Sequence, residues 1–116
     1  MIERLKKGFS DLNISVSDTQ LKQLETYAAL LAEWNEKINL TAIVEPEEVI
    51  LKHFIDSLTI NKYIEKNKTI ADVGTGAGFP GIPLKIYRPD LNVTLVDSLN
   101  KRINFLNEVI DKLDLK

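Results

Sequence analysis

Ile2, Leu5, Phe9 and Leu12 recur every three or four residues, which predicts a short amphipathic helix interrupted at Gly8. Ser17, with Gln20 three residues on, forms a capping box that opens a second helix. Leu21, Leu24, Ala28, Leu31, Trp34 and Ile38 give that helix one apolar stripe, and Asn39-Leu40-Thr41 ends it. Pro46 opens a third helix, with Glu47 and Glu48 near its positive dipole end and Val49, Ile50, Phe54 and Leu58 on one face. Beyond this the period shortens. Ile70-Ala71-Asp72-Val73 and Val93-Thr94-Leu95-Val96-Asp97 read as strands, with residues 82–87 as a short helical crossover stopped by Pro89. A last helix from about Leu99 carries Ile103, Leu106, Val109, Ile110 and Leu113 as core positions. The pattern divides the chain into a helical segment, residues 1–66, and the start of an α/β domain, residues 67–116.

Between the two strands lies the densest chemistry. Four of the five glycines fall within residues 74–81, in Gly74-Thr75-Gly76-Ala77-Gly78-Phe79-Pro80-Gly81. Two registers compete. Counted from Gly76 the run matches G-x-G-x-x-G, a dinucleotide fingerprint. Counted from the strand end, Asp72-Val73-Gly74-Thr75-Gly76-Ala77-Gly78 is D-x-G-x-G-x-G, which resembles the turn of Rossmann-like methyltransferases that use S-adenosylmethionine. The second register is preferred because Val73 is the last residue that reads as strand, so the turn begins at Gly74. A P-loop is excluded, since Gly81 is followed by Ile82-Pro83 and not by Lys-Ser/Thr. Asp72 makes the turn a poor phosphate cradle and a better seat for a cofactor bearing positive charge and ribose hydroxyls. Asp97 lies 19 residues after Gly78, near the interval of about 20 at which a strand-end carboxylate reaches ribose in a βαβ unit. The plain alternative for Asp97 is a solvated strand end.

Composition narrows the class. The chain has 116 residues, no cysteine and one histidine, so disulfides, cysteine nucleophiles and the usual transition-metal sites are excluded. With no signal peptide or long apolar run, the expected location is cytoplasmic and no membrane partner is expected. The formal net charge of −2 divides into −3 for residues 1–66 and +1 for residues 67–116. No strongly basic domain announces a nucleic-acid partner, so any RNA contact must use local patches such as Arg4, Lys6 and Lys7 or residues outside this sequence.

Other residues admit a functional and a structural reading. Tyr27, Trp34 and Phe54 have the composition of a base-stacking platform, but aromatics at helical spacing among leucines read as core. His53 and Asp56, three apart on one helix, share a face as an acid–base pair would; a half-buried surface pair is the alternative. Lys101 and Arg102 stand at a helix start, where the dipole disfavours cations, which hints at a role beyond solvation.

Taken together, Trp34-Asn35 with Asn39-Leu40-Thr41, His53-x-x-Asp56-Ser57, Asp72 through Gly81-Ile82-Pro83, Arg88-Pro89, and Asp97-Ser98-Leu99 with Lys101-Arg102 and Phe105-Leu106 resemble the glucose-inhibited division protein B family of bacterial 16S ribosomal RNA methyltransferases. The likeness covers nearly the whole chain, and Gly-Phe-Pro-Gly-Ile-Pro is far more specific than the generic turn. It implies a Rossmann-like class I methyltransferase fold preceded by helices, S-adenosylmethionine as methyl donor, and guanine N7 of small-subunit ribosomal RNA as acceptor. It further implies that Asp72, Gly74, Thr75, Gly76, Gly78 and Phe79 line the cofactor site, with Asp97 on the ribose. His53, Asp56 and Ser57 become substrate-side or architectural candidates, and no catalytic residue is named. Lys52 departs from the arginine expected before the histidine, which keeps charge but loses bidentate geometry.

A fold of this class has seven strands, and two are legible here. The chain is therefore expected to be cut short after the second strand and its helix, with Leu113 and Leu115 leading toward a third strand past Lys116. Such a piece would bind cofactor weakly and not turn over, whereas the full-length protein is expected to be monomeric. Two readings from other classes stay open: a fragment of an NAD-dependent oxidoreductase in the Gly76 register, and a non-catalytic helical interaction module.

Overall fold

A computed structural model describes residues 2–38 and 46–115. Three helices come first: α1 (Ile2–Asp11), α2 (Asp18–Ile38) and α3 (Pro46–Leu58), followed by a 3-10 turn at Asn61–Tyr63. Then β1 (Thr69–Val73), α4 (Gly81–Tyr87) and β2 (Asn92–Val96) form a βαβ unit, and α5 (Asn100–Lys112) follows. The strands are parallel, in a register that sets Asp72 opposite Leu95 and Val73 opposite Val96. This is a Rossmann-like α/β arrangement with helices before it.

The local signals act as the sequence proposes at several points. Ser17 N–H donates to Gln20 Oε1 at 2.9 Å while Gln20 N–H donates to Ser17 Oγ at 3.1 Å, the reciprocal capping box. Leu21, Leu24, Tyr27, Ala28 and Leu31 of α2 are buried, together with Phe54 and Leu58 of α3. Trp34 packs edge-on against Phe105 at 5.7 Å between ring centroids, so the three aromatics belong to packing and not to a stacking platform. The ending of α2 at Asn39-Leu40-Thr41 lies outside the described residues, as does Lys116.

Two expectations change. Helix α1 runs through Gly8 without a break, and a Cβ there would meet the end of the Ile55 side chain of α3, so the glycine permits a close helix approach. Leu12 leaves the apolar face and is exposed in the turn that follows. Leu113 and Leu115 lie at the stop of α5. Asp114 takes a left-handed φ of 54°, its N–H donates to the Asp111 carbonyl and that of Leu115 to the Ile110 carbonyl, a Schellman stop that folds the chain back on α5. Asn13 ends α1 the same way, with φ 58° and the Ile14 N–H on the Phe9 carbonyl. In α5, Phe105, Leu106 and Val109 fill the core, while Ile103 is exposed and Ile110 half-buried. Both line an open groove of about 260 Å³ with Ile82, Val93, Leu95 and Leu115.

The sheet has one covered face and one open face. Ile70, Asp72, Val93 and Leu95 are half-buried, whereas Ala71, Val73, Thr94 and Val96 are exposed, Val73 by 77%. Two residues of α2 tie the layers together: Gln20 Nε2 donates to the Ile86 and Tyr87 carbonyls at the end of α4, and Gln23 Nε2 to the Leu113 carbonyl at the end of α5. Both cap helix carbonyls that lack intrahelical donors.

Candidate functional site

The site lies at the C-terminal ends of the two parallel strands, where ligands of open α/β sheets bind. Strand β1 ends at Val73 and the chain turns at once, so the glycine run starts at Gly74, the register preferred from the sequence. Gly74 and Gly76 have φ of 70° and 59°, and a Cβ built on either meets nothing within 4 Å. Such backbone is costly for L residues, so the turn needs glycine at both positions, and the space beside it is open.

Four amides of the turn are spent inside the protein. Gly74 and Thr75 donate to the Val96 carbonyl at 2.7 and 3.1 Å, Gly78 to the Thr75 carbonyl at 3.0 Å, and Gly76 to Asp97 Oδ2 at 2.9 Å. The Gly81 N–H, at the start of α4, donates to Asp72 Oδ2 at 3.0 Å, and the Thr75 hydroxyl donates to the same oxygen at 2.7 Å. Asp72 thus serves as a remote cap for α4, complementing its positive end and turning the buried Thr75 side chain inward. With these donors consumed and two carboxylates beside the open glycines, the turn carries more negative charge than a phosphate cradle would.

Asp97 stands one residue past β2 with its side chain 3% exposed. Oδ1 accepts the Leu99 N–H at 3.0 Å, and Oδ2 faces both the Gly76 N–H and Arg102 Nη1, the latter at 3.6 Å. The Leu99 hydrogen bond first, then those from Gly76 and the Arg102 charge, hold its carboxyl below the usual carboxylate range despite desolvation. Arg102 explains the cation at the start of α5: it answers Asp97. Its Nε is buried with no hydrogen-bond partner.

Phe79 turns its ring onto the helical segment, with centroids 5.6 Å from Tyr27, 5.9 Å from Phe54 and 5.0 Å from His53, the last pair stacked. His53 therefore reaches the turn through Phe79. Asp56 is exposed, and among the described residues no hydrogen bond joins it to His53, so the two share a helix face without forming a pair. Ser57 is buried and donates to the His53 carbonyl at 2.7 Å, a back-bond within α3. Sequence reasoning placed Tyr27 only in the core. Its hydroxyl donates to the Ala77 carbonyl at 2.5 Å across 50 residues, and no local pattern signals such a contact.

A glycine turn of this register, on a parallel βαβ unit with acidic residues at both strand ends, defines a class I methyltransferase-type cofactor fold. The family described as rRNA small subunit methyltransferase G matches residues 20–116, and the chain belongs to it. A protein of Desulforamulus reducens named ribosomal RNA small subunit methyltransferase G is 59% identical, the match covering 96% of this chain and 47% of that protein. Those of the same name from Lachnoclostridium phytofermentans and Staphylococcus carnosus are 61% and 55% identical over 95% and 99% of this chain, and 46% and 49% of their own lengths. The chain spans about half the length of these curated relatives. Neither an oxidoreductase nor a free-standing helical module finds support. No helix among the described residues is long and apolar enough to cross a membrane.

Proposed function

We propose that this chain carries the cofactor turn of an S-adenosylmethionine-dependent methyltransferase that forms 7-methylguanosine in 16S ribosomal RNA. The observation that carries the reading is the turn itself: open space beside Gly74 and Gly76, four of its amides already spent, and the carboxylates of Asp72 and Asp97 beside it. Gly74, Gly76 and Gly78 would let the cofactor approach the backbone, with Asp97 accepting from ribose hydroxyls and Asp72 and Thr75 fixing the turn that Phe79 anchors. Residues 1–66 act as the helical segment and residues 67–116 as the start of the cofactor-binding domain. His53, stacked on Phe79, is read as the substrate-side candidate, with Asp56 a surface residue and Ser57 architectural.

The chemistry supplied by bound S-adenosylmethionine is an activated methyl group on a cationic sulfur. Guanine N7 carries a free lone pair, so no general base is required and no catalytic residue is named. The residues of this chain contribute positioning and partial exclusion of water, the two effects a transfer of this kind depends on. The proposed partner is 16S ribosomal RNA or the small ribosomal subunit, in the cytoplasm, with a monomer as the full-length form. The 116-residue chain alone would bind weakly and not turn over.

Calorimetric titration tests the reading. S-adenosylhomocysteine should bind and NAD should not; NAD binding, or absence of S-adenosylhomocysteine binding at millimolar concentration, overturns it. Methyl transfer to undermodified small-subunit RNA should appear in a protein of the relatives' length and be lost from this chain alone.

A further inference from the structure

We infer that Tyr27 is a positioning residue of the cofactor turn, its hydroxyl locking the Ala77–Gly78 peptide plane in one orientation. This rests on the cofactor reading above and goes beyond it, since the residue lies on α2, outside the βαβ unit.

A peptide group is rigid, so its C=O and N–H point in fixed opposite directions. In the Ala77–Gly78 peptide both ends are held: the carbonyl accepts from Tyr27 Oη at 2.5 Å, and the N–H donates to the Thr75 carbonyl at 3.0 Å. Gly78, on one side of this plane, has φ of 103°, and glycine there, with Gly76 at φ 59° one residue before Ala77, lowers the steric barrier to a flip. Tyr27 prevents this from a fixed base. Its ring is wholly buried, stacked on Phe54 at 5.4 Å and tilted against Phe79 at 5.6 Å. A Cβ on Gly78 would lie 2.8 Å from the hydroxyl, so the turn is shaped to seat it. Burial, with the Asp72 charge adding, pushes the phenol well above its ordinary range, which keeps it a donor at every working pH. The helical segment thereby sets the geometry of the cofactor turn, and the site is not the property of the βαβ unit alone.

Tyr27→Phe keeps the ring and removes the donor. The expected result is weaker S-adenosylhomocysteine binding by about 5- to 10-fold, the equivalent of one net hydrogen bond, with faster amide exchange at Gly76 and Gly78 and unchanged exchange in α5. Phe9→Leu on α1, which lowers core stability without touching this hydroxyl, should leave affinity and turn exchange as they are. Tyr27→Phe with wild-type affinity and wild-type exchange overturns the inference, as does an equal affinity loss in Phe9→Leu. Should Tyr27→Phe not fold, 3-fluorotyrosine at all three tyrosines gives a second route. The Tyr27 fluorine signal should then shift on addition of S-adenosylhomocysteine while that of exposed Tyr63 stays, and an unmoved Tyr27 signal overturns the inference. If wild type binds no S-adenosylhomocysteine the cofactor reading falls, and exchange in Tyr27→Phe alone decides whether the hydroxyl holds the turn.

Discussion

At the N-terminal ends of the strands Asp90 accepts from Arg88 Nε and Nη2 and from the Asn67 N–H, while Arg88 reaches on to Asn61 and the Ile64 and Glu65 carbonyls. At the C-terminal ends Asp97 likewise accepts backbone N–H groups and faces an arginine. The parts are the same and the outcomes differ. The Arg88 network closes on itself at distances of 2.8 to 3.2 Å, joining the 61–67 turn to the sheet. The Asp97 network is looser, with Arg102 at 3.6 Å and its Nε without a hydrogen bond, beside glycines that face open space. A saturated network holds a fold; the proposed cofactor site uses the looser one, at the end of a parallel sheet where ligands of open α/β sheets bind.

The comparison breaks most sharply at Gly76. Gly76→Val should abolish S-adenosylhomocysteine binding, because a β-branched side chain resists φ 59° and fills the open space beside the turn. Retained affinity in calorimetry sinks the assignment of the open end; a variant that unfolds would instead make Gly76 a turn residue only, so thermal melts belong alongside. Asp97→Ala should weaken binding by about 1–3 kcal/mol, the range for hydroxyls left without a charged acceptor. An unchanged Kd would make Asp97 a structural counterpart of Asp90.

Arg88→Ala tests the closed end from the other direction. It should lower Tm by several degrees yet leave the Kd of the folded protein within about twofold, since the affected bonds lie at the opposite ends of the strands. Loss of affinity there would erase the distinction. The smallest effect is expected from pH. The Arg88 hydrogen bond, with the Asn67 N–H adding, holds Asp90 well below its ordinary value of 3.8, and Asp97 is lowered too. Carboxyls depressed in the folded state contribute stability above their unfolded pKa, and it is lost as pH falls through the folded value. Thermal melts should therefore be flat near neutrality and fall below about pH 4, less steeply in Arg88→Ala.

Much of this was legible from neighbouring residues. The capping box at Ser17 and Gln20, the α2 stripe, the end of β1 at Val73 and the glycine turn all depend on contacts a few residues apart, which leave a periodic or positional mark. Arg102 left a partial mark, a cation where the α5 dipole disfavours one, and Asp97 supplies the reason. Tyr27 left none, because a hydroxyl on a carbonyl 50 residues away changes no local pattern. Gly8 does not interrupt α1, and what it faces sits on another helix, where a Cβ would meet the end of the Ile55 side chain. The stop at the end of α5 left no glycine to read, because Asp114 takes the left-handed position that glycine usually occupies.

The two α2 glutamines have a consequence in time. Thr69 and Asn92 are 23 residues apart across the strand pair, whereas Gln20 reaches the Tyr87 carbonyl across 67 residues and Gln23 the Leu113 carbonyl across 90. Closing a longer loop costs more entropy before any bond repays it, so strand pairing precedes these helix caps on the way to the native state. Pulse-labelled exchange should protect the β1 and β2 amides first, and simultaneous protection of the α4 and α5 C-terminal turns would refute that order. During synthesis the Gln23 contact is therefore the last of these to become possible, since it waits for the final turn of α5.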